Sequence, residues 1–167
     1  KEHIMGIRIK GTGRCIPEKI LTNADLEKMV DTSDEWIVSR TGIKERHIAE
    51  DDQSSSDMAA IAAKNALENA GLTADQIDLI IVSTVTPDHA FPSVSALVQR
   101  KIGAGKCPCF DIEAACSGLL YALNTAYGMM ASPLAYERVL LIGAEKMTSV
   151  VDWEERSTCV LFGDAAA

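Results

Sequence analysis

The chain has no excess of basic residues, no framework of paired cysteines and no cluster of metal ligands. Lys and Arg total 16 against 24 Asp and Glu, a formal net charge of −8. A general nucleic-acid or membrane-surface binder needs a positive field, so neither class fits; a local basic patch for an anionic ligand is still allowed. The five cysteines are odd in number and lack disulfide spacing, which points to a reducing compartment, read here as the cytoplasm. Cys107 and Cys109, two apart, fall on one face of a strand, and two ligands do not close a tetrahedral zinc site. No metal or permanently bound cofactor is expected. No signal peptide, internal repeat, linker or low-complexity segment is recognised; residues 1–4 read as an expression remnant ahead of a natural start at Met5.

Residues 114–136 carry no charge and are long enough to span a bilayer. Gly118, Asn124, Thr125, Gly128, Ser132 and Pro133 interrupt them, and basic anchors do not flank them. A buried core helix is the expectation, and no membrane partner. The 167 residues suffice for one domain with a substantial core.

Strands and helices alternate. Residues 5–12 read as a first strand. Thr22 or Asn23 caps a short helix, residues 34–40 form a second that ends near Gly42, and residues 54–70 form a third that stops at Gly71. Residues 79–84 are a short, continuously apolar strand of the doubly buried kind. A helix over 93–102, a strand over 109–112, a helix opened by Cys116, and strands over 139–144 and 159–162 follow. This alternation predicts an α/β chain with a mostly parallel sheet. The helix after Cys116 is apolar nearly all round (Leu119, Leu120, Tyr121, Ala122, Leu123, Ala126, Met129, Met130), so it is expected between two sheets. The chain supplies strands for one sheet of ordinary size, and a second sheet has to come from elsewhere.

The segment Asp111-Ile112-Glu113-Ala114-Ala115-Cys116-Ser117-Gly118 carries the chemistry. A strand runs into a tight corner and a cysteine opens a helix. Unpaired N–H groups and the positive helix end favour thiolate there, and the same N–H groups suit an oxyanion. From position alone Cys116 is either an acyl-transfer nucleophile or a small buried hydrophobe.

Four segments in order resemble the thiolase-fold condensing enzymes, specifically the β-ketoacyl-acyl-carrier-protein synthase III family. They are residues 32–46, residues 87–93, the Cys116 corner and residues 156–164. The resemblance implies a five-layer αβαβα fold of two similar halves, with residues 1–167 as the first half and the C-terminal half outside this chain. It implies an acyltransferase that performs a decarboxylating Claisen condensation, the starting step of fatty-acid synthesis. Cys116 takes an acyl group, expected to be acetyl, from acyl-coenzyme A. Malonyl-acyl carrier protein then loses carbon dioxide, and its enolate attacks the acyl-cysteine.

The resemblance also assigns residues. Trp36 and Arg156 match a pair that sandwiches adenine; an indole and a guanidinium both stack on aromatic rings. The alternatives are a helix core residue for Trp36 and a solvated charge for Arg156. Thr32 matches a hydrogen-bonding position near the adenine. Arg40 matches a phosphate ligand, with a surface ion pair to Glu35 or Asp34 as the other reading. Phe91 matches a residue that reaches a partner subunit's acyl pocket, implying a homodimer, and Met147 and Phe162 match that pocket's lining, against plain core packing. His3, His47 and His89 match no catalytic histidine; His89 reads as loop surface rather than a base. The family's catalytic histidine and asparagine belong to the second half. Other readings are a thiolase, a hydroxymethylglutaryl-coenzyme A synthase, a secondary-metabolite ketosynthase, or a non-catalytic partner subunit.

Overall fold

A computed structural model describes residues 6–133 and 136–167; Met5 and His3 lie outside them. In chain order the elements are β1 (Lys19–Thr22), α1 (Asn23–Leu26), α2 (Asp34–Thr41), β2 (Glu45–Ile48), α3 (Ser55–Ala70), β3 (Leu79–Ser83), α4 (Val94–Ile102), β4 (Cys109–Ile112), α5 (Gly118–Met130), β5 (Val139–Lys146), α6 (Arg156–Cys159) and β6 (Asp164–Ala166).

β3 organises the whole, with all five of its residues buried. It pairs in parallel with β4, Ile80 opposite Cys109, and with β5, Leu79 opposite Val139. β6 joins β5 antiparallel, so the sheet order is β4-β3-β5-β6. The sheet is mixed and mostly parallel, as its pattern predicted. Alternation along β3 builds a core on each face. Ile80 and Val82 pack with Met58, Ala59 and Ala62 of α3 and Val94 and Val98 of α4. Leu79 and Ile81 pack with Ala122 and Ala126 of α5.

The helices end where local chemistry ends them. Ser33, Ser54 and Ser93 cap α2, α3 and α4 through side-chain acceptors. Gly42, Gly71 and Gly103 close the same helices with φ of 74°, 66° and 72°, a region where a Cβ is strained.

At α3 the cap is reciprocal. Asp57 returns a carboxylate to Ser54 and meets Lys101 Nζ at 2.6 Å. Burial alone would raise the Asp57 carboxyl, but the bonds from Lys101 and Ser54 outweigh it and hold it at about 2. The folded value lies below the unfolded value of about 3.9. Its contribution is therefore present above pH ~4 and is lost as pH falls towards ~2. With the carboxylate side chain 40 % exposed, that contribution stays under about 1 kcal/mol. Asp57→Asn is expected to flatten part of the fall in urea midpoint between about pH 4 and 2. Superimposable midpoint–pH curves would contradict this.

Two strand expectations are corrected. Residues 6–12 form no strand. Gly11 and Gly13 lie so close on α3 that a Cβ would come within 2.7 Å of Ala66 O and 2.3 Å of Ala62 O, and just beyond them Cys15 makes an isolated bridge to Ala166 of β6. Residues 159–162 are not a strand either. Glu155 caps α6 by accepting from Ser157 N–H, and Cys159 and Val160 bury against Leu26 and Ile37 of α1 and α2. The antiparallel pair β1–β2, Lys19 opposite Ile48, was not anticipated.

The all-round apolar helix expected after Cys116 is α5. It is covered on one face only within this chain. Gly118, Ala122 and Ala126 are buried, while Leu119, Leu120, Tyr121 and Leu123 are 45, 69, 58 and 39 % exposed. None of the helices among the described residues is long and apolar enough to cross a membrane.

Candidate active site

β4, β3 and β5 are parallel, so their C-terminal ends share one edge of the sheet. β6 runs the other way and begins at that edge, with Asp164 opposite Lys146. The loops carrying Phe91, Cys116, Met147 and Phe162 therefore gather along one rim, where open α/β sheets place their ligands.

Cys116 sits in a single 3₁₀ turn, Ala115–Ser117, one step before α5, and it is exposed. It does not open the α-helix itself; that begins at Gly118. Ala115 has φ 46°, a left-handed conformation costing a residue with a Cβ about 1–2 kcal/mol. Strain of this kind is kept where surrounding structure enforces it. Here Asp111 fixes the strand before the turn by accepting Val94 N–H at 2.7 Å and Ser95 N–H at 2.8 Å. Gly118 fixes the helix after it, because a Cβ there would stand 2.0 Å from Ser83 Oγ. The chain is thus turned sharply between two anchored elements, and the thiol is held on the outside of the turn. Burial pushes the Cys15, Cys109 and Cys159 thiols up, away from thiolate. Cys107 and Cys109 share the Gln99 amide.

The neighbouring loop is also anchored. Glu145 at the end of β5 accepts Val85 N–H at 2.9 Å and Thr86 Oγ1–H at 2.6 Å. Asp88 accepts Ser56 N–H at 2.9 Å. Past these points Phe91 is 88 % exposed. Met147 and Phe162 are half-buried. His47 Nδ1 donates to Pro17 O at 2.6 Å, a structural bond, and His89 lies exposed in the loop before Phe91. Asp111 and Glu145 were missed in sequence. The signal was an acid at the end of an apolar strand, beside a serine-capped helix in one case and a threonine-rich loop in the other.

The predicted ring and cation residues come together. Arg40 and Arg156 guanidinium carbons lie 4.5 and 4.8 Å from the Trp36 ring centroid, within cation–π range. Arg156 also donates to Asp31 O at 2.8 Å. Thr32 Oγ1, four residues before Trp36, is buried without a hydrogen-bond partner. An unmet buried hydroxyl is costly.

The sheet order, the strained turn and the exposed cysteine together define a chain of the thiolase-fold class. Residues 110–167 match the family model described as 3-oxoacyl-[acyl-carrier-protein (ACP)] synthase III. The β-ketoacyl-[acyl-carrier-protein] synthase III of Xanthomonas campestris pv. campestris (strain 8004) is 57 % identical over 159 residues, 95 % of this chain and 49 % of that protein. The crystal structure of 3-oxoacyl-[acyl-carrier-protein] synthase III from Aquifex aeolicus VF5 superposes with a TM-score of 0.92 at 53 % identity, covering 96 % of this chain and 52 % of that one. The crystal structure described as the β-ketoacyl-[acyl carrier protein] synthase III of Thermus thermophilus gives 0.91 at 43 % identity, over 96 and 49 %. Over 95 % of its length the chain is similar to a protein of the 3-oxoacyl-[acyl-carrier-protein] synthase III family. It spans about half the length of the curated relatives it matches.

Proposed function

We propose that this chain is the nucleophile-bearing half of a β-ketoacyl-acyl-carrier-protein synthase III. The observation that carries the reading is the exposed Cys116 on its strained turn at the C-terminal rim of the sheet. The Cys116 sulfur, as thiolate, attacks the thioester carbonyl of an acyl-coenzyme A, acetyl in the simplest case. The C–S bond to coenzyme A breaks, coenzyme A leaves as thiolate and takes up a proton, and the acyl group remains on Cys116. Splitting the condensation this way replaces one hard step by two easier ones. Malonyl-acyl carrier protein then loses carbon dioxide. The resulting enolate carbon attacks the acyl carbonyl, and the Cys116 thiolate departs. Each attack puts charge on a carbonyl oxygen, and the Cys116 N–H is the donor assigned to that oxyanion in this reading.

In this reading Trp36 and Arg156 hold the adenine, Thr32 bonds near it, and Arg40 meets phosphate. Met147 and Phe162 line the acyl pocket. The exposed Phe91 enters the pocket of a second copy, making a homodimer. The bare apolar face of α5 is covered by the second half of the fold, which also brings a histidine and an asparagine for decarboxylation. The substrates are acyl-coenzyme A and the acyl carrier protein, with no resident cofactor.

Supplying the second half tests this. Residues 1–167 alone are expected to give no β-ketoacyl product from acetyl-coenzyme A and malonyl-carrier protein. Co-expression with a C-terminal half from a relative is expected to restore product and yield a species that sediments as two copies of each half. Product from the chain by itself would refute the division of catalytic groups.

A further inference from the structure

The two jaws around the Trp36 ring come from distant parts of the sequence: Trp36 and Arg40 from α2, Arg156 from α6. The apolar contacts between them, Ile37 with Cys159 and Val160, do not by themselves fix a relative position. Besides the Arg156 contacts to Trp36 and Asp31 O, a buried polar group joins them. Arg46 of β2 is only 3 % exposed. Its Nε donates to Val160 O at 3.0 Å and its Nη2 to the same oxygen; Val160 is the C-cap of α6. Its Nη1 donates to Asn23 Oδ1. Asn23 is itself 2 % exposed. Its Nδ2 donates to Asp34 Oδ1 at 2.7 Å and to Ile43 O at 2.9 Å. Asp34 is the first residue of α2, and Ile43 follows its C-cap Gly42. The Arg46–Asn23 pair thus grips both ends of α2 and the end of α6.

A buried guanidinium is expensive. Burial lowers the Arg46 pKa, and its direct partners, an amide and a carbonyl, are neutral. An apolar residue filling this space would avoid that cost. What it would not provide is a rigid fork of donors aimed in two directions.

We propose that Arg46 is a positioning residue for coenzyme A recognition: through Asn23 and Val160 it sets the spacing of the helices that carry Trp36 and Arg156. This rests on the reading of Trp36 and Arg156 as the adenine clamp. Arg46 touches no reacting atom.

The test uses the assembly of both halves, with acetyl-coenzyme A and acetyl-pantetheine compared as acyl donors. The truncated donor keeps the thioester and lacks the nucleotide. Arg46→Met is expected to raise KM for acetyl-coenzyme A about 10-fold or more, the scale of a lost stacking contact. kcat/KM for acetyl-pantetheine and KM for malonyl-carrier protein are expected to stay unchanged. Asn23→Asp keeps the acceptor for Arg46 but sets a carboxylate against Asp34 and Ile43 O. It is expected to give the same nucleotide-selective loss, and it decides the matter if Arg46→Met does not fold. Equal losses on both donors, or a wild-type KM for acetyl-coenzyme A, would overturn the proposal and leave Arg46 with a general structural role. Trp36→Ala separates the two levels. If it discriminates the donors and the Arg46 and Asn23 variants do not, only the positioning role falls. If it does not discriminate them, the clamp reading fails and the positioning role falls with it.

Discussion

Cys116→Ser, in an assembly that holds both halves, is expected to abolish acyl transfer while leaving the fold intact. The side chain is exposed, and substitutions at such positions change stability by only about ±0.5 kcal/mol. The chemistry is less tolerant. A thiolate is a ready nucleophile near neutral pH; a serine hydroxyl needs a positioned base to become one. A loss of at least about 10³-fold in the acylation rate is expected, the scale reached when a covalent nucleophile is removed. Intact-protein mass spectrometry after exposure to acetyl-coenzyme A reads the result directly. The parent should gain one acetyl group and the variant none. Stoichiometric acetylation of the variant would exclude Cys116 as the acceptor.

The second large effect belongs to a residue with no side chain. Gly118 begins α5 against β3, and its missing Cβ is replaced in space by Ser83 Oγ, 2.0 Å from where that atom would lie. Ser83 is buried, so its hydroxyl has little room to swing away. Gly118→Ala is therefore expected to push the start of α5 outward and carry the Cys116 turn with it. A displacement of about 1 Å at a reacting group costs on the order of 10²-fold in rate. The partner substitution makes the argument sharp. Ser83→Ala removes Oγ and leaves Ser83 Cβ, 3.3 Å from the new atom, a tight but tolerable contact. The double variant Ser83→Ala/Gly118→Ala should recover most of the acylation rate lost by Gly118→Ala alone. Additive losses would show that the glycine is needed for some other reason.

The parts of the fold that could be read from sequence are those fixed by local chemistry. A serine cap at one end and a left-handed glycine at the other gave α3 to within a residue, and the unbroken apolar run of β3 announced a strand buried on both faces. Residues 159–162 failed because a four-residue apolar run suits a strand or a helix turn equally well; the capping glutamate just before it was the overlooked cue. β1 and β2 were invisible for a different reason. Each is four residues long, and β2 reads Glu45-Arg46-His47-Ile48, which looks solvated. Their pairing is a tertiary event across α1 and α2. The same camouflage hid Arg46, since a charged residue in a charged stretch gives no sign of burial. Cys116 stood out as a candidate by its place before a helix, whereas Trp36, Arg40 and Arg156 were singled out only by the family resemblance, their composition alone fitting a helix core residue and solvated charges equally well. The anchors Asp111 and Glu145 were not legible, because their partners lie on other elements.

The register of β3 has a consequence for how the chain is made. The strand leaves the ribosome with four apolar side chains, Leu79 to Val82, and finds its first parallel neighbour only when Cys109 emerges, and its second only at Val139. At a synthesis rate of about 5–20 residues per second, Leu79 waits roughly 3–12 s for Val139. Parallel pairing gives nothing back until such a loop is closed. Throughout that interval the most apolar strand of the protein is open to competing partners. A pause in translation between β3 and β5 should therefore depress the soluble yield more than a pause of equal length placed after β5.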